Sequence, residues 1–174
     1  NDILDLSKIE AGKLAIEPVE FELEALLEDV LAITGVSARQ KGVEFSLSVA
    51  AEVPRKLVAD ADRIGQVLAN LCANAIKFTE RGVVRVSVRL AASDARSATI
   101  GVAVEDTGIG MSAAQLAELF QPFTQVDSSS TRRRTGTGLG LSISMRLATA
   151  MVGKIEVRSE PGRGSVFEFT VPCG

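Results

Sequence analysis

One stretch, residues 60–79, restricts the possible folds of this chain more than any other. At 100° per residue its apolar side chains fall on a single stripe, as in a helix that packs against a core. The stripe comprises Ile64, Val67, Leu68, Leu71 and Ala75. The sequence therefore predicts an amphipathic helix with one buried face, around which the other elements must be arranged.

The same predicted helix carries a polar row beside the stripe. Arg63, Gln66, Asn70, Asn74 and Lys77 recur at spacings of three and four, so their side chains stack along one face. Two amide oxygens followed by an ammonium group suit a polyphosphate bound with Mg²⁺, a hard cation that prefers oxygen ligands. From this stretch alone, the commoner explanation is a solvated face of an amphipathic helix.

Composition narrows the class of protein. The 174 residues suffice for one domain, or one domain with an appendage, and for a full core. A net charge of −3 and seven aromatic residues, all Phe, give no basis for nucleic-acid binding. The absence of histidine excludes histidine-based catalysis and histidine metal sites. Cys72 and Cys173 are predicted to be reduced structural thiols. No apolar run approaches about 18 residues, so we expect a soluble, cytoplasmic segment.

Periodicity along the chain predicts an α+β two-layer sandwich, in which a mixed sheet of about five strands has three helices on one face. The first predicted helix starts without an N-cap, as the end of a longer helix does. Residues 121–137 have no period and a length typical of functional lids or disordered loops. Helices are predicted at 1–13, 21–40, 60–79, 112–120 and 139–151, and strands at 14–21, 43–49, 84–90, 99–105, 154–159 and 165–171.

The segment 106–110, Asp-Thr-Gly-Ile-Gly, follows a predicted strand directly. The Asp106 carboxylate can accept a hydrogen bond from an exocyclic amine such as that of adenine. Gly108 and Gly110 would let the backbone approach a flat ring closely. An ordinary strand-to-helix turn is an equally good explanation, because Asp and Gly favour turns.

A second glycine cluster, residues 136–142, runs into a predicted helix. Exposed amides at a helix N-terminus beside flexible glycines make an anion site suited to phosphates. The cluster lacks the Gly-Lys-Ser/Thr ending of a P-loop, and no strand precedes it as in a Rossmann motif. A flexible hinge is the alternative explanation.

Three weaker patterns accompany these clusters. Phe120 and Phe123 suit the base of the long loop, although core packing explains either ring. The run 132–134 of three arginines suits a γ-phosphate, although such runs are usually solvated. The turn 162–165 could close a base pocket through the Ser165 hydroxyl or serve simply as a hairpin turn.

In this order and spacing, the clusters resemble the catalytic and ATP-binding domain of sensor histidine kinases, most of all the hybrid kinases. That domain has the Bergerat fold of the wider GHKL family, which comprises gyrase, Hsp90, histidine kinase and MutL ATPases. The resemblance spans nearly the whole chain: residues 70–79 are similar to the N box, 106–110 to the G1 box, 120–123 to the F box, 136–141 to the G2 box and 162–165 to the G3 region.

The resemblance implies a set of roles. Asn74 would coordinate Mg²⁺, Lys77 would contact phosphate and Asp106 would bind the adenine amine. Asn70 stands where gyrase-like and Hsp90-like ATPases carry a glutamate that activates water. A lid over residues 122–138 would close on the triphosphate, with Arg132 or Arg133 near the γ-phosphate. The implied ATP-binding residues are Asn70, Asn74, Lys77, Asp106, Gly108, Gly110, Phe123, Arg132, Arg133, Gly136, Thr137, Gly138, Leu139, Gly140, Leu141 and Ser165.

The resemblance also implies a context for the chain. Residues 1–14 would be the end of the dimerisation and phosphoacceptor helix, and residues 15–174 the catalytic domain. The partners would be that helix domain, a response regulator or receiver domain and a second copy of the full-length protein, which could be anchored in the inner membrane. Arg134 and Thr135 depart from the family's aromatic and glycine, so a nucleotide-sensing pseudokinase is an alternative. An ATPase of the gyrase or Hsp90 kind is a further alternative.

Overall fold

The structure of the protein, a computed structural model, describes residues 2–119 and 140–174. Within these ranges the helices are α1 (Asp2–Glu10), α2 (Leu23–Lys41), α3 (Ala61–Phe78), α4 (Ala113–Glu118) and α5 (Gly140–Ala150). The strands are β1 (Val19–Glu22), β2 (Glu44–Val49), β3 (Lys56–Ala59), β4 (Val83–Ser93), β5 (Ala98–Asp106), β6 (Lys154–Glu160) and β7 (Gly164–Cys173). The predicted strand at 14–21 is wrong for residues 14–18, which have no regular structure, and β3 was not predicted.

A five-stranded mixed sheet in the order β2-β4-β5-β7-β6 forms one layer. The β2–β4 pair is parallel and the other pairs are antiparallel. Strands β5 and β7 alternate between the two faces, so that Ile100, Val102, Val104, Phe167 and Phe169 are buried on the same side. Helices α2, α3 and α5 pack on this side. The predicted two-layer α+β sandwich with three helices on one face is confirmed.

The other face of the sheet carries charged side chains. Arg89 on β4 reaches across β5 to form an ion pair with Glu168 on β7. A Cβ atom at Gly101 would lie 3.2 Å from the Arg89 guanidinium, so the glycine leaves room for this crossing. The sheet therefore has one apolar face under the helices and one polar face.

Helix α3 is the central element of the helical layer. Its apolar stripe is buried as predicted, with exposed fractions of 0–4% for all five side chains. Full burial of an Ile, Val or Leu side chain stabilises a fold by about 1.5–3 kcal/mol. The Asp60 carboxylate caps the helix by accepting from the Arg63 backbone N–H at 3.1 Å. The same carboxylate accepts from the Glu17 N–H at 3.0 Å and so holds the segment before β1.

Helix α1 docks against the polar side of α3. Leu6 is buried, and the Asp5 carboxylate accepts from the Gln66 amide at 2.8 Å. The Arg63 guanidinium lies 3.5 Å from the same carboxylate. Helix α1 ends before Gly12, which has a φ of +65°, as the predicted stop near Gly12 required.

The strands β1 and β3 form a separate antiparallel pair. Val58 of β3 also exchanges two backbone hydrogen bonds with Gly174, at 3.0 and 2.8 Å. No helix within residues 2–119 and 140–174 is both long enough and apolar enough to cross a bilayer.

Candidate functional site

The polar row of α3 faces the start of α5. The Asn70 side-chain nitrogen donates to the Gly140 carbonyl at 3.3 Å and to the Ser144 hydroxyl at 3.1 Å. The Ser144 hydroxyl in turn donates to the Gly140 carbonyl at 2.8 Å. Because its nitrogen is used in these contacts, the carbonyl oxygen is the Asn70 atom that they leave for a ligand.

Two further predicted residues continue this row toward the end of α3. The side chains of Asn74 and Lys77 are half-buried, one and two turns beyond Asn70. The Lys77 ammonium lies 5.5 Å from the centre of the Phe78 ring, within cation–π range. The half-buried Asn74 amide fits Mg²⁺, because this cation accepts a single protein oxygen beside waters and phosphates. Within the described residues, no group of three or more His, Cys, Asp or Glu side chains could hold a metal ion.

Asp106 is the last residue of β5 and points to the helical side of the sheet. Only 5% of the residue is exposed. Its carboxylate accepts a hydrogen bond from the Gly108 N–H at 2.9 Å and another from the Ser165 N–H. Asp106 also lies opposite Ser165 in the β5–β7 register. The predicted base-binding carboxylate and the predicted pocket-closing hydroxyl are therefore adjacent.

Burial raises the pKa of the Asp106 carboxyl above its ordinary value, because desolvation disfavours the charged form. The two backbone donors oppose this shift, and the neighbouring Glu105 carboxylate adds to it. A desolvated carboxylate that is held by backbone N–H groups is a strong and well-oriented hydrogen-bond acceptor.

The glycines of the segment 106–110 have a packing role. A Cβ atom at Gly108 would lie 2.4 Å from the Phe78 carbonyl oxygen at the end of α3. Gly110 has a φ of +66°, and a Cβ atom there would lie 1.9 Å from the Glu160 carbonyl oxygen. The Ile109 N–H also donates to the Phe78 carbonyl at 3.3 Å. This loop is therefore pressed between α3 and the β6–β7 turn.

Two serines of the site were missed by the sequence reasoning. Ser159 contacts three groups: its hydroxyl lies 2.8 Å from the Ser165 hydroxyl, donates to the Gly164 carbonyl at 2.9 Å and accepts from the Met111 N–H at 2.8 Å. Ser144 is fully buried beside Asn70. Alternation along β6 places Ser159 on the inner face after Ile155 and Val157, which is the signal that could have identified it.

Most of the predicted site residues that the structure describes lie in two clusters. Asn70 meets Gly140 at one of them, with Leu141 partly buried next in the chain. At the other, Asp106 meets Gly108 and Ser165. The predictions for Phe123, Arg132, Arg133, Gly136, Thr137, Gly138, Leu139 and the lid lie outside the described residues.

Fold and site together define a class of protein. The fold is a two-layer α/β sandwich. The polar face of α3 contacts the first turn of α5, and the end of α3 contacts the loop that follows the buried Asp106 carboxylate. The family model for histidine kinase-, DNA gyrase B- and HSP90-like ATPases matches residues 59–174. The chain belongs to this ATPase family.

Individual relatives are sensor kinases. Signal transduction histidine-protein kinase BarA of Escherichia coli K12 is 42% identical over 171 residues, which are 98% of this chain and 19% of BarA. Hybrid signal transduction histidine kinase B of Dictyostelium discoideum is 43% identical over 174 residues, 100% of this chain and 9% of that protein. The chain therefore spans less than a fifth of the length of either curated relative.

A solved structure gives the same likeness in three dimensions. Full-length ShkA in complex with AMPPNP matches with a TM-score of 0.84 and 34% identity, over 100% of this chain and 35% of ShkA. The predicted resemblance to the ATP-binding domain of sensor histidine kinases, including hybrid kinases, is confirmed.

Proposed function

We propose that this chain is the ATP-binding catalytic domain of a protein-histidine kinase, which presents the γ-phosphate of ATP to a histidine on a helix outside it. One observation carries the proposal: the second half of α3 touches both glycine-containing segments. Asn70 contacts Gly140, and the Phe78 carbonyl contacts Gly108 and Ile109. A ligand lying along α3 would reach a base site at one segment and a phosphate site at the other.

The base site would be formed by Asp106. Its carboxylate would accept a hydrogen bond from the exocyclic amine of adenine, since both oxygens are acceptors and the backbone donors already fix their direction. Ser165, directly opposite on β7, would border the same pocket. A guanine base carries a carbonyl at the equivalent position, so the site would favour adenine.

The phosphate site would be formed by Asn70, Asn74 and Lys77 with the start of α5. The first N–H groups of a helix have no intrahelical partners and attract phosphate oxygens, which suits Gly140 and Leu141. The Asn74 oxygen would hold Mg²⁺, which would neutralise charge on the phosphates. Arg132 or Arg133 would approach the γ-phosphate. Phe123 and residues 136–138 would belong to the lid, and Leu139 would contact the nucleotide just after it.

Asn70 also favours phosphotransfer over hydrolysis. Its side chain is a neutral amide whose nitrogen donates to Gly140 and Ser144, so it cannot act as a general base for water. Transfer would therefore depend on positioning and charge neutralisation, and the acceptor histidine must come from elsewhere because this chain has none.

The context of the chain is part of the proposal. We infer that residues 1–14 are the end of a dimerisation and phosphoacceptor helix and that residues 15–174 are the catalytic domain. The full-length protein would be a cytoplasmic or membrane-anchored homodimer that passes phosphate to a response regulator or receiver domain. The pseudokinase alternative rests on Arg134 and Thr135 and differs in predicting weak or absent ATP binding.

Calorimetric titration with a non-hydrolysable ATP analogue, with and without Mg²⁺, tests the proposal. We expect micromolar binding that tightens with Mg²⁺ in the parent protein. Asn74→Ala should lose the Mg²⁺-dependent gain, and Asp106→Asn should lose about tenfold in affinity with or without metal, as for a buried hydrogen bond to a charged group. Glu44→Gln, an exposed carboxylate on the edge strand β2, is the matched control.

Each failure has a distinct meaning. A parent protein without detectable binding would favour the pseudokinase. Unaltered affinity in both site variants would refute the assignment of Asn74 and Asp106. Appreciable steady-state ATP hydrolysis by the parent would favour the gyrase-like or Hsp90-like ATPase.

A further inference from the structure

The last turn of α3 is held by groups from outside the helix. A helix leaves its last four carbonyl oxygens without intrahelical partners, and here they belong to residues 75–78. Two of them are satisfied locally by Thr79, whose hydroxyl donates to the Ala75 carbonyl at 2.8 Å and whose N–H donates to the Ile76 carbonyl at 3.3 Å. The remaining contacts come from distant parts of the chain.

Lys41 supplies the first of these contacts. Its ammonium donates to the Ile76 carbonyl at 2.8 Å and to the Lys77 carbonyl at 2.7 Å. The second contact comes from the loop after β5, where the Ile109 N–H donates to the Phe78 carbonyl at 3.3 Å. The end of α3 is therefore hydrogen-bonded to Lys41 of α2 and to the loop of residues 106–110.

Lys41 is itself placed by the end of α2. It is the last residue of that helix, and Gly42 follows in the left-handed conformation with a φ of +74°. The Val43 N–H donates to the carbonyl of the buried Ala38 at 2.9 Å, which fixes the chain reversal. The backbone at Lys41 is therefore held in place, and the lysine side chain extends from it to α3.

We propose that Lys41 is a positioning residue for the phosphate site formed by Asn70, Asn74, Lys77 and the start of α5. This inference rests on the proposed function. Lys41 holds the backbone of the turn that carries Asn74 and Lys77, so it sets where their side chains lie. Its charge also offsets the negative end of the α3 dipole, which would otherwise face the phosphates beside Lys77. The base half of the site depends on the Ile109 contact instead.

The experiment compares two ligands on three variants. The affinity for a non-hydrolysable ATP analogue plus Mg²⁺, measured by calorimetry, depends on both the base site and the phosphate site. The affinity for adenosine depends on the base site alone. Lys41→Met removes the ammonium at similar length, and Lys41→Arg restores a cation. Lys154→Met is the matched control, since Lys154 pairs with Glu156 on β6 and its side chain is 61% exposed.

We expect Lys41→Met to weaken the ATP analogue by roughly tenfold, in line with the loss of a charge-assisted hydrogen bond, and to leave adenosine affinity within twofold. Lys41→Arg should recover most of the loss, and Lys154→Met should match the parent. A merely structural role would lower both affinities or neither. If Lys41→Met does not fold, Lys41→Gln, which removes the charge and keeps amide N–H donors, is titrated with the same two ligands and should show a smaller loss that is again confined to the ATP analogue.

The outcomes separate this inference from the proposed function. A Lys41→Met protein with the parent's affinity for the ATP analogue, or with an equal loss for adenosine, overturns the inference alone. A parent protein that binds neither ligand overturns the proposed function and the inference with it.

Discussion

Replacement of Gly110 by alanine should destabilise the protein far more than the same replacement at Gly162. Both glycines have positive φ values, +66° and +79°. A Cβ atom at Gly162 would meet nothing within 4 Å, whereas one at Gly110 would lie 1.9 Å from the Glu160 carbonyl oxygen. The pair therefore separates the penalty of a left-handed alanine from the penalty of a close backbone approach.

The structure sets the size of the difference. A left-handed alanine costs about 1–2 kcal/mol, which is the whole effect expected at Gly162. At Gly110 the Cβ atom would lie 1.9 Å from the Glu160 carbonyl oxygen and needs about 3 Å, so the backbones of Gly110 and Glu160 must also separate by about 1 Å. That movement breaks the hydrogen bond from the Gly162 N–H to the Ile109 carbonyl (2.7 Å) and the one from the Met111 N–H to the Ser159 hydroxyl (2.8 Å). At about 1 kcal/mol each, these losses bring the Gly110→Ala effect to about 3–4 kcal/mol.

Urea unfolding followed by circular dichroism measures both effects. With a slope of about 2 kcal/mol/M, Gly110→Ala should lower the unfolding midpoint by about 1.5–2 M and Gly162→Ala by less than about 1 M. Equal shifts for the two variants would refute the reasoning. They would show that the close approach of Gly110 to the Glu160 carbonyl adds no penalty beyond the left-handed conformation. The slopes must remain equal for the comparison to hold.

Two further predictions concern titrating groups. Because burial raises the pKa of Asp106, its stabilising contribution is greatest at low pH and is lost as the pH rises through the raised pKa. In urea unfolding, the parent should therefore gain stability relative to Asp106→Asn as the pH falls from neutral toward the ordinary aspartate pKa of about 3.9. A flat or opposite difference would contradict this. Burial raises the pKa of Cys72 to about 12 and of Cys173 to about 11, so a thiol reagent at pH 7.5 should label neither in the native protein and both in urea; rapid native labelling would contradict it.

The local hydrophobic pattern of the sequence was sufficient to predict the helices and strands that bury one face. The α3 stripe and the β4–β5 hairpin follow from a 3.6-residue and a 2-residue period, and both are present within a few residues of their predicted limits. Strand β3 has four residues, of which only Leu57 and Ala59 are buried, so its pattern is too short to recognise. Its existence depends on pairing with β1 and with Gly174, which are contacts that a local window does not contain.

The site was predictable only as far as its residues form motifs. Asp106 and Asn70 were predicted as site residues because each lies in a recognisable pattern. Gly108 and Gly110 are predicted to leave room for a ligand ring, and that prediction stands; their close approach to the carbonyls of Phe78 and Glu160 could not be read from the sequence. The Lys41 contact to α3 escaped prediction, because a lysine before a glycine at a helix end looks like an ordinary capping residue.

The β5–β7 register has a kinetic consequence. The β4–β5 hairpin joins neighbours in sequence, whereas β7 must return from beyond α5 to pair with β5. Pairing between strands this far apart in sequence costs loop-closure entropy before it gains contacts, so we expect β7 to join late in folding. Asp106 and Ser165 therefore meet only in the completed sheet. We therefore expect a ligand held between them to act mainly by slowing unfolding, with little effect on the speed of folding.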